Sequence, residues 1–172
     1  MRNDLYEQMN RKSNGKKKKN ILGKRSAYVR SSFPLTKVRR SRIHGRGVYA
    51  ARLIRKGARI IEYTGQRVQE KDAPDDKDRS HTFYFALSNG KVIDPVVDGN
   101  DARWINHCCE PNCEAIEQRS RIFIYAIRNI EPGEELFYDY SLQIDEPVNQ
   151  RTKKQFACLC SSSKCRGTML EV

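Results

Sequence analysis

The 172-residue sequence predicts a mainly β domain of small sheets, and three observations carry that expectation. Apolar residues come in short runs rich in Val, Ile, Tyr and Phe. Turn-forming residues separate these runs. After Phe33 no stretch has the 3.6-residue periodicity of a long amphipathic helix.

The chain begins with a basic arm. Residues 1–42 hold 14 Lys or Arg against Asp4 and Glu7, whereas the other 130 residues carry 19 of each sign, so the net charge of +12 belongs to the arm. Residues 1–32, with Lys16-Lys17-Lys18-Lys19, are too polar and too like-charged to offset their ordering entropy, and are expected to be mostly disordered. Such an arm either solubilises the chain or, through residues 1–42, touches nucleic acid or chromatin; composition leaves both open.

The predicted strands follow in order: Gly47–Ala50, Arg59–Tyr63, Thr82–Leu87, Lys91–Ile93, Arg121–Ala126 and Glu135–Tyr138. Turns at Arg55-Lys56-Gly57, Ser88-Asn89-Gly90 and Glu131-Pro132-Gly133-Glu134 divide them. Residues 66–80 read as an exposed loop or short helix, and Asp101 to Ile105 as a helical turn or two. No stretch approaches the roughly 20 apolar residues of a membrane span, and no apolar run near Met1 resembles a secretory signal. An intracellular, reducing setting is therefore expected.

Three of the six cysteines form C-x-C-x4-C near the C-terminus: Cys158, Cys160 and Cys165. A structural zinc site takes four ligands, so a fourth must come from elsewhere, and the Asn106–Cys113 cluster with His107, Cys108, Cys109 and Cys113 is the obvious donor. Three disulfides are the competing reading, disfavoured in a reducing compartment.

Gly99-Asn100-Asp101-Ala102-Arg103-Trp104-Ile105-Asn106-His107-Cys108-Cys109-Glu110-Pro111-Asn112 resembles the G-N-x-A-R-[FW]-[IF]-N-H-S-C-x-P-N motif of SET-domain protein-lysine methyltransferases. Glu135-Leu136-Phe137-Tyr138-Asp139-Tyr140 resembles the motif that closes that domain. Ile43–Ala50 is similar to its opening G-x-G strand, Glu62-Tyr63-Thr64-Gly65 to its E-Y-x-G, and the cysteine tail to the post-SET zinc motif. Five elements in the family's order are a specific signal, and the compact form resembles stand-alone bacterial-type members.

The resemblance implies a SET-domain fold of small β-sheets with a pseudoknot over residues 33–145, and a zinc-bound post-SET segment over 154–170. It further implies S-adenosyl-L-methionine and Zn2+ as cofactors. Methyl donor and lysine enter from opposite faces and meet in a narrow channel, an arrangement in which alignment carries much of the barrier reduction. Tyr140, Tyr138 and Tyr63 take the catalytic positions. His44, Arg46, Phe83, Asn106, His107 and Leu159 take the cofactor-binding ones, and Cys109, Cys158, Cys160 and Cys165 the metal ones. Tyr138, where the family carries Phe or Tyr, favours monomethylation or dimethylation.

Two departures stand out. The usual cofactor-side tyrosine is Phe83, unless Tyr84 replaces it by a local shift, and Cys108 stands for serine, which leaves open a ligand swap with Cys109. The expected partner is a protein or peptide with an accessible lysine, such as a histone-like or ribosomal tail, read partly by residues 66–80 and partly by the C-terminal tail. A monomer without membrane contact is expected, in the cytoplasm or, through the lysine-rich arm, in the nucleus. A zinc-stabilised module without catalysis, acting on nucleic acid through the arm, is the alternative.

Overall fold

The computed structural model describes residues 34–73, 84–144 and 146–171. The basic arm at 1–32, Phe83 and residues 74–80 of the 66–80 segment lie outside the described residues. Ten strands fall into four small sheets among the described residues. β1 (Thr36–Arg40) and β2 (Arg46–Ala50) form an antiparallel hairpin. β3 (Arg59–Tyr63), β9 (Arg121–Ala126) and β8 (Cys113–Gln118) form an antiparallel sheet with β9 in the middle. β4 (Gln66–Gln69), β6 (Lys91–Asp94) and β5 (Phe85–Ala86) form another, centred on β6. The fourth is a short parallel pair of β7 (Asn106–His107) with β10 (Phe137–Tyr138), in register Phe137 with Asn106 and Tyr138 with His107.

β9 is hydrogen-bonded along both edges, to β3 and β8, and its Ile122, Phe123 and Ile124 are all buried. Val48, Ala50, Ile54, Ile105, Ile130 and Leu136 join Ile124 in one core, none of them more than 1% exposed. Each such Ile or Leu contributes about 1.5–3 kcal/mol from burial. Ile105 and Leu136, the residues directly before β7 and β10, belong to this core and anchor the pair.

The segment from Gly99 to Asn112 is held by its own motif residues. A Cβ on Gly99 would lie 2.0 Å from the Pro95 carbonyl oxygen, so only glycine allows this close approach of two backbones. Asn100 accepts from Ala102 N at 3.2 Å to cap the 3-10 turn Asp101–Trp104, and donates to Glu62 O at 2.8 Å. Asn112, 1% exposed, donates through Nδ2 to Glu135 O at 2.7 Å while its Oδ1 accepts from Phe137 N at 2.8 Å. Its buried amide thereby pins the chain before β10 to the loop after β7.

Several elements differ from the sequence expectation. Gln66–Gln69 is a strand and Glu70–Asp72 a 3-10 turn, where a loop or short helix was expected. The pattern there is polar because β4 is an exposed edge. Of the strand expected at Thr82–Leu87, Phe85–Ala86 is strand among the described residues. β1, β4, β7 and β8 were not anticipated, nor was α1 (Gln150–Gln155), whose capping box joins Asn149 and Thr152. The short parallel crossing of β7 with β10 counts as one of the four sheets among the described residues.

Candidate active site and thiol cluster

Two cavities meet at Tyr140. One, of about 630 Å3, is lined by Ile43–Arg46, Arg103, Trp104, Asn106, His107 and Tyr140, and closed from the C-terminal segment by Ala157, Leu159 and Met169. The other, of about 700 Å3, is lined by Tyr84, Phe85, Tyr138, Tyr140 and the Ser141–Ile144 stretch, with Glu70 and Glu171 at its edge. The first cavity carries His44, Arg46 and Arg103 and no carboxylate; the second carries two carboxylates and no basic side chain.

A chain of rings connects the cavities. Tyr63 meets Phe85 edge-on at 4.7 Å, Phe85 stacks on Tyr138 at 5.7 Å, Tyr138 lies 4.8 Å from Tyr140, and Tyr140 lies 5.4 Å from His107. Tyr140 OH donates to the Ile105 carbonyl at 2.8 Å, so the hydroxyl presents its oxygen as an acceptor. Burial pushes the Tyr63, Tyr138 and Tyr140 phenols well above their ordinary range. All three stay protonated and uncharged at neutral pH.

The four cysteines Cys109, Cys158, Cys160 and Cys165 come together, their sulfurs all within 4.8 Å of one another. Tetrahedral zinc with bonds of about 2.3 Å sets its sulfurs roughly 3.8 Å apart, and Cys109 Sγ lies 3.7 Å from Cys158 Sγ. Backbone N–H groups of Arg166, Cys160 and Gly167 each donate at 3.4 Å to a sulfur of this set, on Cys109, Cys158 and Cys165 respectively. Donors aimed at sulfur favour the thiolates that zinc needs, so this donor set fits the ion. All six cysteines are free of disulfides, and the fourth member is Cys109 rather than Cys108. Cys108 is buried nearby, where burial pushes its thiol up to about 11.

The cluster is joined to the tyrosine strand at two points. Arg166, next in sequence to Cys165, makes a bidentate pair with Asp139 at 2.6 and 2.8 Å. Burial raises the Asp139 carboxyl, but this guanidinium outweighs it and holds the group below its ordinary value. His107 accepts Tyr140 N–H through Nδ1 at 3.1 Å, and its Nε2 faces Cys109 Sγ at 3.3 Å. The bond at Nδ1 assigns the proton to Nε2, which donates to sulfur. Burial lowers the pKa of His107, which favours this neutral form.

Every described residue assigned from sequence to the cofactor group, His44, Arg46, Asn106, His107 and Leu159, lines the first cavity; Phe83 lies outside the described residues. Tyr138 and Tyr140 line the second, and Tyr63 reaches it through Phe85. Sequence reasoning did not assign to the site Trp104, whose ring lies 4.9 Å from the Arg46 guanidinium and 4.6 Å from that of Arg103, nor Met169 and Arg166. The Arg103-Trp104 pair inside the G-N-x-A-R motif was the available signal for the first. The others become partners only through folding.

Residues 45–141 match the family model described as SET domain, and the chain belongs to that family. It is 36% identical over 153 residues to the H3 lysine-4 specific histone-lysine N-methyltransferase of Candida albicans, covering 83% of this chain and 14% of that protein. It is 36% identical over 153 residues to histone-lysine N-methyltransferase set1 of Dictyostelium discoideum, covering 83% and 10%. Over 137 residues it is 37% identical to histone-lysine N-methyltransferase trithorax of Drosophila melanogaster, covering 74% and 4%. The chain thus spans a seventh or less of the length of these relatives.

Proposed function

We propose that the protein transfers methyl groups from S-adenosyl-L-methionine to a lysine side chain of a protein substrate. The single observation that carries this reading is the position of Tyr140, shared by a basic cavity and an acidic one. The basic cavity suits a cofactor with a carboxylate and a purine, since it combines His44, Arg46 and Arg103 with Trp104, Leu159 and Met169. The acidic, aromatic-walled cavity suits a lysine on an extended basic segment.

When bound, the donor supplies an electrophilic methyl group on a sulfonium. The chain's own residues align the amine and exclude water. Lysine with a reference pKa of about 10.4 must lose a proton at a cost of roughly 4–5 kcal/mol at neutral pH. No tyrosinate is available to take it, because Tyr63, Tyr138 and Tyr140 are held protonated. Desolvation between the Tyr63, Phe85, Tyr138 and Tyr140 rings, together with the nearby positive sulfur, lowers the amine's pKa, and the proton leaves through water. Tyr140, its own proton committed to Ile105 O, offers an acceptor oxygen that orients the reacting groups. Tyr138 restricts growth of the methylammonium, which favours monomethyl or dimethyl product.

Zn2+ on Cys109, Cys158, Cys160 and Cys165 is structural in this reading: four thiolates complete its coordination and hold the segment that walls the cofactor cavity. The unit comprises an arm at 1–32, a catalytic domain at 33–145 and a zinc segment at 154–170, acting as a monomer. Its similarity to proteins named histone-lysine N-methyltransferases points to a histone tail as substrate and the nucleus as the place of action. The test is label transfer from S-adenosyl-L-[methyl-3H]methionine to core histones. Label on lysine supports the reading; no label in the presence of demonstrated cofactor binding and varied basic proteins contradicts it.

A further inference from the structure

Glu135 stands outside the residues so far given a role, yet it is the hub of a network at the wall of the basic cavity. The chain at Glu134–Leu136 runs antiparallel to β2: Ala50 N donates to Glu134 O and Leu136 N to Val48 O, both at 2.8 Å. This pairing lays the Glu135 side chain across the start of β2. Its Oε2 accepts from Tyr49 OH at 2.7 Å, and its Oε1 accepts from Asn106 Nδ2 at 3.0 Å. The other hydrogen of Asn106 Nδ2 goes to the Arg46 carbonyl at 2.9 Å.

Both hydrogens of the Asn106 amide are thereby consumed on the protein side, by two acceptors. A flipped amide would set its oxygen against the Glu135 carboxylate and the Arg46 carbonyl, three acceptors with no proton between them, so the orientation is determined. We infer that Glu135 is a positioning residue that fixes the Asn106 amide, presenting Oδ1 to the cofactor cavity as an acceptor for a cationic amino group. This rests on the proposed use of S-adenosyl-L-methionine, whose α-ammonium is the group so recognised.

Gly47 supplies an independent handle. A Cβ there would lie 2.0 Å from Glu135 Oε1 and 2.8 Å from its Cδ, with Ser41 Cβ next at 3.1 Å. The atoms in the way are the mobile end of a side chain, so Gly47→Ala displaces the carboxylate and leaves the strand in place. The carboxylate can thus be disturbed from either side, by removing its charge or by crowding it.

The experiment is calorimetric titration of the zinc-loaded protein with S-adenosyl-L-homocysteine and with its des-amino analogue, which keeps the carboxylate. The wild type prefers the amino compound. Glu135→Gln, which replaces the carboxylate acceptor of Asn106 Nδ2 by a neutral amide and so weakens the hold on Asn106, loses roughly tenfold or more affinity for S-adenosyl-L-homocysteine, the range of a charge-assisted hydrogen bond. Its affinity for the des-amino analogue stays within about twofold, a selectivity that general loosening of the fold would not produce. Gly47→Ala shows the same selective loss, and covers the case in which Glu135→Gln fails to fold. Equal loss for both compounds, no loss in a folded variant, or a wild type that does not distinguish them overturns the role of Glu135 while leaving the cofactor reading intact. A wild type that binds neither compound instead removes the cofactor reading and this inference with it.

Discussion

His107 Nε2 faces Cys109 Sγ at 3.3 Å while His107 Nδ1 receives the Tyr140 backbone N–H at 3.1 Å. One imidazole therefore spans the thiol cluster and the strand end that carries Tyr140. The Asp139–Arg166 pair makes a parallel connection a few residues away. The sulfur cluster and the cavities that meet at Tyr140 are neighbours in one hydrogen-bonded unit.

Tyr140→Phe removes the hydroxyl that donates to Ile105 O and keeps the ring that packs on Tyr138 and His107. Transfer in single turnover is expected to fall about 10²–10³-fold, the scale for loss of one preorganised polar group. Cofactor affinity, measured by calorimetry, should change only a few-fold. A parallel fall in affinity would make Tyr140 a binding residue.

Tyr138→Phe removes a fully buried hydroxyl beside the same channel. Space opens for a larger methylammonium, and mass spectrometry of a lysine peptide should show the product distribution shifted toward higher methylation. Dominant trimethyl-lysine from the unaltered enzyme would contradict the role given to Tyr138.

Asp139→Asn breaks the charge-assisted part of the Arg166 clasp, whose side chains are 28% and 29% exposed. A loss of about 1–2 kcal/mol is expected for a bidentate pair partly screened by water. The carboxyl is held below its unfolded value of about 3.9. Its contribution is therefore complete above that value and disappears as pH falls through the lower folded value. The stability gap between wild type and variant, followed by urea denaturation, should be full at neutral pH and begin to narrow as pH falls below about 4. A gap unchanged down to pH 3 would show that the charge is not what matters.

Much of the site was legible because its chemistry is carried by contiguous residues: Asn106-His107, Tyr138-Asp139-Tyr140 and the three tail cysteines keep their meaning before folding. Spacing alone left the choice between Cys108 and Cys109 open, since adjacent residues point to different sides; the family resemblance assigned Cys109, and Cys109 is the one that meets the tail sulfurs. β8 escaped because its Cys-Glu-Ala-Ile-Glu-Gln pattern is weakly apolar and its hairpin turn is unusual. Arg119 and Ser120 both have positive φ, 53° and 58°, in a two-residue turn where Asn-Gly is the usual signal. The role of Glu135 was hidden because its partners Tyr49 and Asn106 are 86 and 29 residues away.

The same distinction between neighbouring thiols makes a direct prediction. Cys109→Ser should abolish stoichiometric zinc measured by elemental analysis, whereas Cys108→Ser, outside the four-sulfur set, should retain one zinc per chain. Zinc lost in both variants, or retained in both, would mean that the ligand set is different.

The most direct test of the unit as a whole is titration of S-adenosyl-L-homocysteine into the metal-loaded protein and into the same protein after chelation. Ala157, Leu159 and Met169 wall the basic cavity from the segment that carries three of the four clustered thiols. Removing zinc should loosen residues 156–170 while leaving much of the β core folded, and cofactor affinity should fall at least about tenfold, as expected when an ordered wall must be re-formed on binding. Equal affinity with and without the metal would contradict the claim that the thiol cluster and the cofactor cavity work as one.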